Sequence, residues 1–129
     1  MKIIGMGHVG INTGDFEKSL IFYRDILGCK VEKTFDWEAF RMTKLMLPDG
    51  GWLELFDYRK PNGRSAPKEA EVGYRHFAFL VDDVEKWEKH LLNHGVTVSS
   101  KTQSLEDLGT KGMLCLDPDG IEVELFEML

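Results

Sequence analysis

The feature that most constrains the fold of this chain is an internal repeat. His8 recurs as His76 after 68 residues, and Glu54 recurs as Glu124 after 70 residues. Further matches follow in the same order, namely Asp15 with Asp83, Glu17-Lys18 with Glu85-Lys86, Gly28 with Gly95, and Pro48-Asp49-Gly50 with Pro118-Asp119-Gly120. Because matches at a nearly constant offset are the signature of repeated supersecondary units, we infer two copies of a module of about 55 residues.

Each copy has the same predicted order of elements: a strand, a helix and three further strands. Residues 8–12 alternate between two faces, which is typical of a half-buried strand. A stripe of apolar residues follows Asp15 and ends at Gly28, a residue that is common just after a helix. In the second copy, Asp82 and Glu85 resemble a capping box at the start of the helix. The other predicted strands are 30–35, 40–47, 52–57, 74–81, 96–101, 111–116 and 121–127. The sequence therefore predicts the α+β class with two βαβββ modules.

The two modules are expected to form a single domain over residues 1–129, with module 1 at about 1–57 and module 2 at about 74–129. The segment between them, about 58–73, is rich in turn-forming residues and has no periodicity, so it is predicted to be a linker. One helix covers only one face of a four-stranded sheet. Pairing the two modules about a pseudo-two-fold axis would bury the other faces and enclose a cleft, a common location for ligands.

Composition excludes several classes of partner. The chain has 16 Lys and Arg against 22 Asp and Glu, and its net charge of −6 opposes binding to nucleic acid or to an anionic membrane surface. No apolar run approaches the roughly 18–20 residues of a membrane span, and the N-terminus does not resemble a signal peptide. Cys29 and Cys115 form neither a CxxC motif nor a disulfide framework. We therefore expect a cytoplasmic protein whose partner is a small molecule.

The repeat places a histidine in the first strand and a glutamate in the last strand of each copy. If those strands are neighbours, His8 lies near Glu54 and His76 lies near Glu124. The pseudo-two-fold axis would then bring two imidazoles and two carboxylates together, a set suited to one divalent metal such as Zn, Ni, Co, Mn or Fe(II). The alternative for each residue alone is a hydrogen-bonded structural histidine or a solvent-facing glutamate.

Five segments resemble the vicinal oxygen chelate superfamily, which includes glyoxalase I, bleomycin-resistance proteins and extradiol dioxygenases. They are residues 7–11, 22–28, 52–56 and 76–83, and residues 117–120 together with Glu124-Leu125. They span nearly the whole chain. The resemblance implies that the paired modules form an open mixed-sheet barrel around a metal cleft. It also implies four metal ligands, which here are His8, Glu54, His76 and Glu124.

The order His, Glu, His, Glu is similar to that of bacterial glyoxalase I. This resemblance implies a lyase or isomerase that acts on a hemithioacetal, or on a similar small substrate with vicinal oxygens, through an enediolate. Glu124 would be the main base and Glu54 its partner across the metal. The apolar walls of the substrate pocket would be Trp52, Phe56, Phe79 and Phe126. Superfamily members are usually homodimers, so we expect a homodimer.

Two positions depart from glyoxalase I. Members that use glutathione commonly carry Arg four residues after the first ligand and Asn four residues after the second, where this chain has Asn12 and Tyr58. The thiol of the substrate is therefore left open. Two other functions stay open as well. A non-catalytic protein that binds a drug or metabolite would not need four metal ligands, and an extradiol-type iron dioxygenase would not need Glu54.

Overall fold

The computed structural model describes residues 1–59 and 72–129. The chain divides into two compact units, Met1–Gly63 (unit 1) and Arg64–Leu129 (unit 2), and each contains one four-stranded sheet. The α+β class is therefore confirmed. The predicted linker falls mostly on residues 60–71, outside the described residues. How the two sheets combine, and with it the open barrel, stays a prediction.

Unit 1 contains β1 (His8–Asn12), α1 (Phe16–Leu20), β2 (Lys30–Asp36), β3 (Arg41–Met46) and β4 (Trp52–Asp57). The sheet order is β1-β4-β3-β2, and the first and last strands are parallel neighbours. The helix differs from the prediction, because from Ile21 to Ile26 it continues as a π-helix. Its wider turn is seen where the Leu27 amide donates to the Phe22 carbonyl at 2.9 Å. Apolar spacings of three and four residues do not distinguish these two helical geometries.

Unit 2 contains β5 (Phe77–Leu80), α2 (Val84–Asn93), β6 (Val98–Leu105), β7 (Thr110–Leu116) and β8 (Glu122–Met128). Its sheet order, β5-β8-β7-β6, repeats that of unit 1, with β5 and β8 parallel. The cap of α2 is Asp83 rather than the predicted Asp82. The Asp83 carboxylate accepts a hydrogen bond from the Lys86 amide at 3.0 Å, as Asp15 does from the Lys18 amide in unit 1.

The core of each unit lies on one face of its sheet. In β4, Leu53 and Leu55 are fully buried, whereas Trp52, Glu54 and Phe56 between them are half-buried. β8 repeats this pattern, with buried Val123 and Leu125 beside a half-buried Glu124. Alternation along a strand sends successive side chains to opposite faces. We call the face that carries the glutamate the site face of each unit. Among the described helices, none has the length and apolarity to cross a membrane.

Candidate metal centre

The site face of unit 1 carries His8 beside Glu54. In the parallel pair of β1 and β4, His8 stands opposite Trp52, and Gly10 stands opposite Glu54. The first and last strands are thus neighbours, as the ligand hypothesis required. The Nε2 atom of His8 lies 3.7 Å from Oε2 of Glu54.

Trp52 holds both of these side chains. Its ring stacks on the His8 ring, with centroids 5.2 Å apart and an interplanar angle of 20°. Its indole Nε1–H donates a hydrogen bond to Oε1 of Glu54 at 3.0 Å. The sequence predicted Trp52 only as an apolar wall. In the structure it orients two proposed metal ligands, a role that outer-shell partners commonly have at metal sites.

The site face of unit 2 carries the equivalent pair in closer contact. The Nε2 atom of His76 lies 2.9 Å from Oε2 of Glu124. The side chains are 24% and 26% exposed, respectively, compared with 46% for His8. The Nδ1 atom of His76 is buried and has no hydrogen-bond partner in the described part of the chain. The Glu124 carboxylate is therefore the polar group that orients the His76 ring.

Each His–Glu pair fits two coordination positions of one metal ion. Two ligand atoms bound at about 2.0–2.2 Å from one ion stand about 2.8–3.6 Å apart in octahedral or tetrahedral geometry. The separation of 2.9 Å in unit 2 lies within this range, and that of 3.7 Å in unit 1 lies just above it. Without a metal, the same arrangement serves as a hydrogen bond or ion pair. No group of three or more His, Cys, Asp or Glu side chains in residues 1–59 and 72–129 is placed to hold a metal.

The predicted apolar walls divide between the two faces of the sheets. Trp52 and Phe56 lie on the site face of unit 1, in register with His8 and Asn12. Phe126 lies on the site face of unit 2, two residues from Glu124 in β8. Phe79 stands opposite the buried Leu125 and so belongs to the core face. Phe79 is therefore on the opposite face of its sheet from Glu124.

An aromatic cluster continues the site face of unit 1 beyond Glu54. It consists of Phe35, Trp37, Phe40, Phe56 and Tyr58. Ring centroids of neighbouring members are 5.0–6.3 Å apart. Tyr58, four residues after Glu54, packs its ring on that of Phe40 with centroids 5.0 Å apart. An aromatic contact thus occupies one of the two positions at which the sequence departs from glyoxalase I.

Two residues of the site faces were not singled out by the sequence. Lys44 stands opposite Glu54 in the β3–β4 pair. Gly112 stands opposite Phe126 in the β7–β8 pair, and a Cβ atom there would lie 3.2 Å from Oε1 of Glu124. The pairing of both residues with the opposite strand can be counted outward from the Pro-Asp-Gly turn that joins the two strands. The sequence therefore contained the information that places Lys44 and Gly112.

The two cysteines are buried and free. Burial raises the pKa of the Cys29 thiol to about 11 and that of the Cys115 thiol to about 12. Both thiols are therefore protonated at neutral pH. Since the thiolate is the nucleophilic and metal-binding form, neither cysteine is suited to those roles.

Comparison with known proteins identifies a family. Residues 5–125 match the family model described as the Glyoxalase/Bleomycin resistance protein/Dioxygenase superfamily. This range includes all four proposed ligands.

Three relatives illustrate the range of similar proteins. The YaeR protein of Escherichia coli (strain K12) is 35% identical over 93% of this chain and 93% of its own length. The metallothiol transferase FosB of Staphylococcus saprophyticus is 29% identical over 95% of this chain and 76% of its own length. A probable chloroplastic lactoylglutathione lyase of Arabidopsis thaliana is 28% identical over 95% of this chain but only 35% of its own length.

A solved structure shows the same fold. The crystal structure of SMU.1112c superposes with a TM-score of 0.85 at 30% sequence identity. The match covers 98% of this chain and 100% of that one.

Proposed function

Because the chain belongs to the glyoxalase/bleomycin resistance protein/dioxygenase superfamily, we propose that it is a metal-dependent enzyme that moves a proton within a small substrate bearing vicinal oxygens. One observation carries this proposal. The same His–Glu pair recurs at equivalent positions of both units, with His8 in β1 beside Glu54 in β4, and His76 directly before β5 beside Glu124 in β8. Mere storage of a ligand does not require two such pairs.

The four residues that would hold the metal are His8, Glu54, His76 and Glu124. Their imidazole and carboxylate groups suit a divalent ion such as Zn, Ni, Co, Mn or Fe(II). When bound, such an ion supplies Lewis-acid stabilisation of the negative charge that develops on the vicinal oxygens of the substrate.

We assign the role of general base to Glu124. It removes the proton from the hemithioacetal carbon, and the electron pair of that C–H bond forms the enediolate of the substrate. The carboxylic acid then returns the proton to the neighbouring carbon, the former carbonyl carbon, while the hydroxyl proton passes between the two oxygens. The product is the thioester of a 2-hydroxy acid, and no oxidant or reductant is consumed.

Glu54 is the less suitable base because the indole of Trp52, which is not a proposed ligand, donates a hydrogen bond to one of its oxygens. The described partner of Glu124 is His76, which would turn to the metal when one is bound and leave that oxygen free. Glu54 therefore serves as a ligand, and Glu124 serves as both ligand and base.

A second candidate is a metal-dependent thiol transferase. The similarity to FosB over 95% of this chain favours it. The residues at the expected glutathione positions, Asn12 and Tyr58, favour a thiol other than glutathione for either reaction.

The test is metal analysis of protein purified without chelator, followed by turnover of methylglyoxal with glutathione and with cysteine. We expect one bound metal per pair of modules, and turnover that is lost with chelator and restored by added metal. Binding of a metabolite without metal or turnover would instead indicate a non-catalytic binding protein. Oxygen consumption with catechol would indicate the dioxygenase.

We also propose a homodimer in the cytoplasm. Large apolar side chains before β1 are almost fully exposed in the single chain, namely Met1, Ile3, Ile4 and Met6. A second copy of the chain would cover these side chains. The cytoplasm is proposed because a reducing compartment suits two free cysteines. Sedimentation at micromolar concentration should give twice the mass of one chain, and a monomer would contradict the proposal.

A further inference from the structure

A lysine stands directly beside the proposed ligand of unit 1. Lys44 in β3 is the cross-strand neighbour of Glu54, and Lys33 in β2 is the cross-strand neighbour of Lys44. Because residues opposite each other in a sheet project from the same face, both lysines belong to the site face. In unit 2, the residue opposite Glu124 is Leu114. The repeated fold therefore does not itself require a cation at this position.

The Lys44 ammonium group lies over the ring that organises the ligands. Its Nζ atom is 4.2 Å from the centroid of the Trp52 ring, and its side chain is 25% exposed. The same ring stacks on His8 and donates a hydrogen bond to Glu54. Lys44 is thus a partly desolvated cation that shares an aromatic neighbour with two proposed metal ligands.

A β-bulge in β2 places the negative charge of Glu32 beside Lys44. Val31 pairs with Leu45 and Lys33 pairs with Lys44, so Glu32 is an extra residue that the partner strand does not match. Its Oε2 atom lies 2.9 Å from Nζ of Lys44. Bulges of this kind re-aim side chains and are over-represented beside active sites. Because two facing lysines repel each other, a carboxylate here offsets their charge.

We propose that Lys44, with Lys33 beside it, binds the anionic group of the substrate, and that Glu32 is the internal anion which this group displaces. The substrate class is then a small vicinal-oxygen compound that also carries a carboxylate or phosphate group. An ammonium group binds either oxyanion as a compact point charge. The assignment of this anion to the substrate rests on the proposed function, whereas the anion site itself does not.

The test is titration of the ¹⁵N-labelled protein with inorganic phosphate and, separately, with sodium acetate, each with and without chelator. We expect saturable shifts of amide signals in β2 and β3, and the tighter of the two anions identifies the substrate's group. Lys44→Met should weaken binding about tenfold or more, because it removes a charge-assisted hydrogen bond. Glu32→Gln should tighten binding, because it removes the competing carboxylate. Lys18→Met is the control, since it changes the net charge equally at a helix lysine that is 73% exposed.

Unchanged binding in Lys44→Met, or weaker binding in Glu32→Gln, would overturn the proposal. If Lys44→Met does not fold, Lys44→Arg and Glu32→Gln decide the question, because the first should keep anion binding and the second should strengthen it. Metal content separates the two proposals. Anion binding that depends on Lys44 in a protein that binds no metal would contradict only the proposed function. Metal-dependent turnover without a Lys44 effect on anion binding would contradict only this inference.

Discussion

The two units contain the same His–Glu pair at equivalent positions of the repeat but surround it with different residues. In unit 1, Glu54 accepts a hydrogen bond from Trp52 and has Lys44 opposite it. In unit 2, an apolar residue stands opposite Glu124, whose described hydrogen-bond partner is His76. The two modules thus share the residues that a metal would need and differ in the residues around them. Under the proposed function, unit 1 would orient and recognise the substrate, whereas unit 2 would transfer the proton.

The largest expected effect comes from replacing the carboxylate of Glu124 or of Glu54 by an amide, which compares the roles of the two units. Glu124→Gln keeps a ligating oxygen but loses the base, so we expect turnover to fall at least ~10²-fold while metal is retained. Glu54→Gln should reduce turnover less. The measurement is turnover with methylglyoxal and thiol on metal-loaded wild type and both variants. Equal losses would show that the two carboxylates share the role.

Removal of each histidine compares the two pairs as metal ligands. His76 is closer to its glutamate and less exposed than His8, so we expect His76→Ala to lose more metal affinity than His8→Ala. The loss should exceed the roughly 10–100-fold that removal of an outer-shell partner causes. Metal content after dialysis is the measurement, and circular dichroism checks that the fold persists. Full occupancy in His76→Ala would show that the site is misassigned.

Gly112 tests whether the position of Glu124 matters. A Cβ atom at this residue would lie 3.2 Å from Oε1 of Glu124 and 3.3 Å from Cβ of Phe126. Gly112→Ala should therefore displace the carboxylate and lower turnover about tenfold, since small misplacements of reacting groups are costly. Gly5→Ala is the control, because no atom lies within 4 Å of a Cβ there. Equal turnover in the two variants would contradict the assigned role of Glu124.

Trp52→Phe tests the support that is specific to unit 1. The variant keeps an aromatic ring against His8 but loses the indole donor to Glu54. We expect metal affinity to fall about 2–10-fold, the range for one hydrogen bond. Trp37→Phe, in the aromatic cluster, is the matched control. A Trp52→Phe variant with unchanged metal affinity would show that the indole does not orient Glu54.

The smallest expected effect is on stability, at a position where unit 1 has Thr13 and unit 2 has Val81. Thr13 and Val81 both donate a backbone hydrogen bond to the last strand of their unit, but only Thr13 adds a side-chain bond, from Oγ1 to the Phe56 carbonyl at 2.9 Å. Thr13→Val makes unit 1 like unit 2. We expect the free energy of unfolding to fall by about 1 kcal/mol, measured by urea denaturation. No change would show that this bond contributes nothing net.

Much of the fold was predictable because two independent signals agree. Strand alternation and the repeat specify the same eight strands. The ligand hypothesis required the first and last strands to be neighbours, whereas their parallel direction was not predicted. The π-helix was not predictable from apolar spacing. The cap at Asp83 was predictable, since the repeat already matched it with Asp15, but the neighbouring Asp82 fitted a capping box as well.

The ligands of the candidate site were predictable from residue type alone, whereas their neighbours required the strand register as well. Histidine and glutamate were recognisable as candidate ligands because both residue types bind metals and both recur at equivalent positions of the repeat. Phe79 is aromatic and close to His76 in sequence, but it is an odd number of residues away and so faces the core. Lys44 and Gly112 are ordinary residues by type. Their importance comes from the residues opposite them, which are found by counting outward from the turn between the two strands and not from the pattern of one strand.

The parallel pairing of the first and last strands also bears on the order in which the proposed metal ligands of each unit come together. His8 precedes Glu54 by 46 residues and His76 precedes Glu124 by 48 residues, whereas the antiparallel pairs of each sheet close over short turns. Contacts between distant residues form late, because closing the longer loop costs more entropy. We therefore expect each His–Glu pair to be a late contact of its own unit, and because synthesis starts at the N-terminus, the chain contains both members of the unit 1 pair before Glu124 is added.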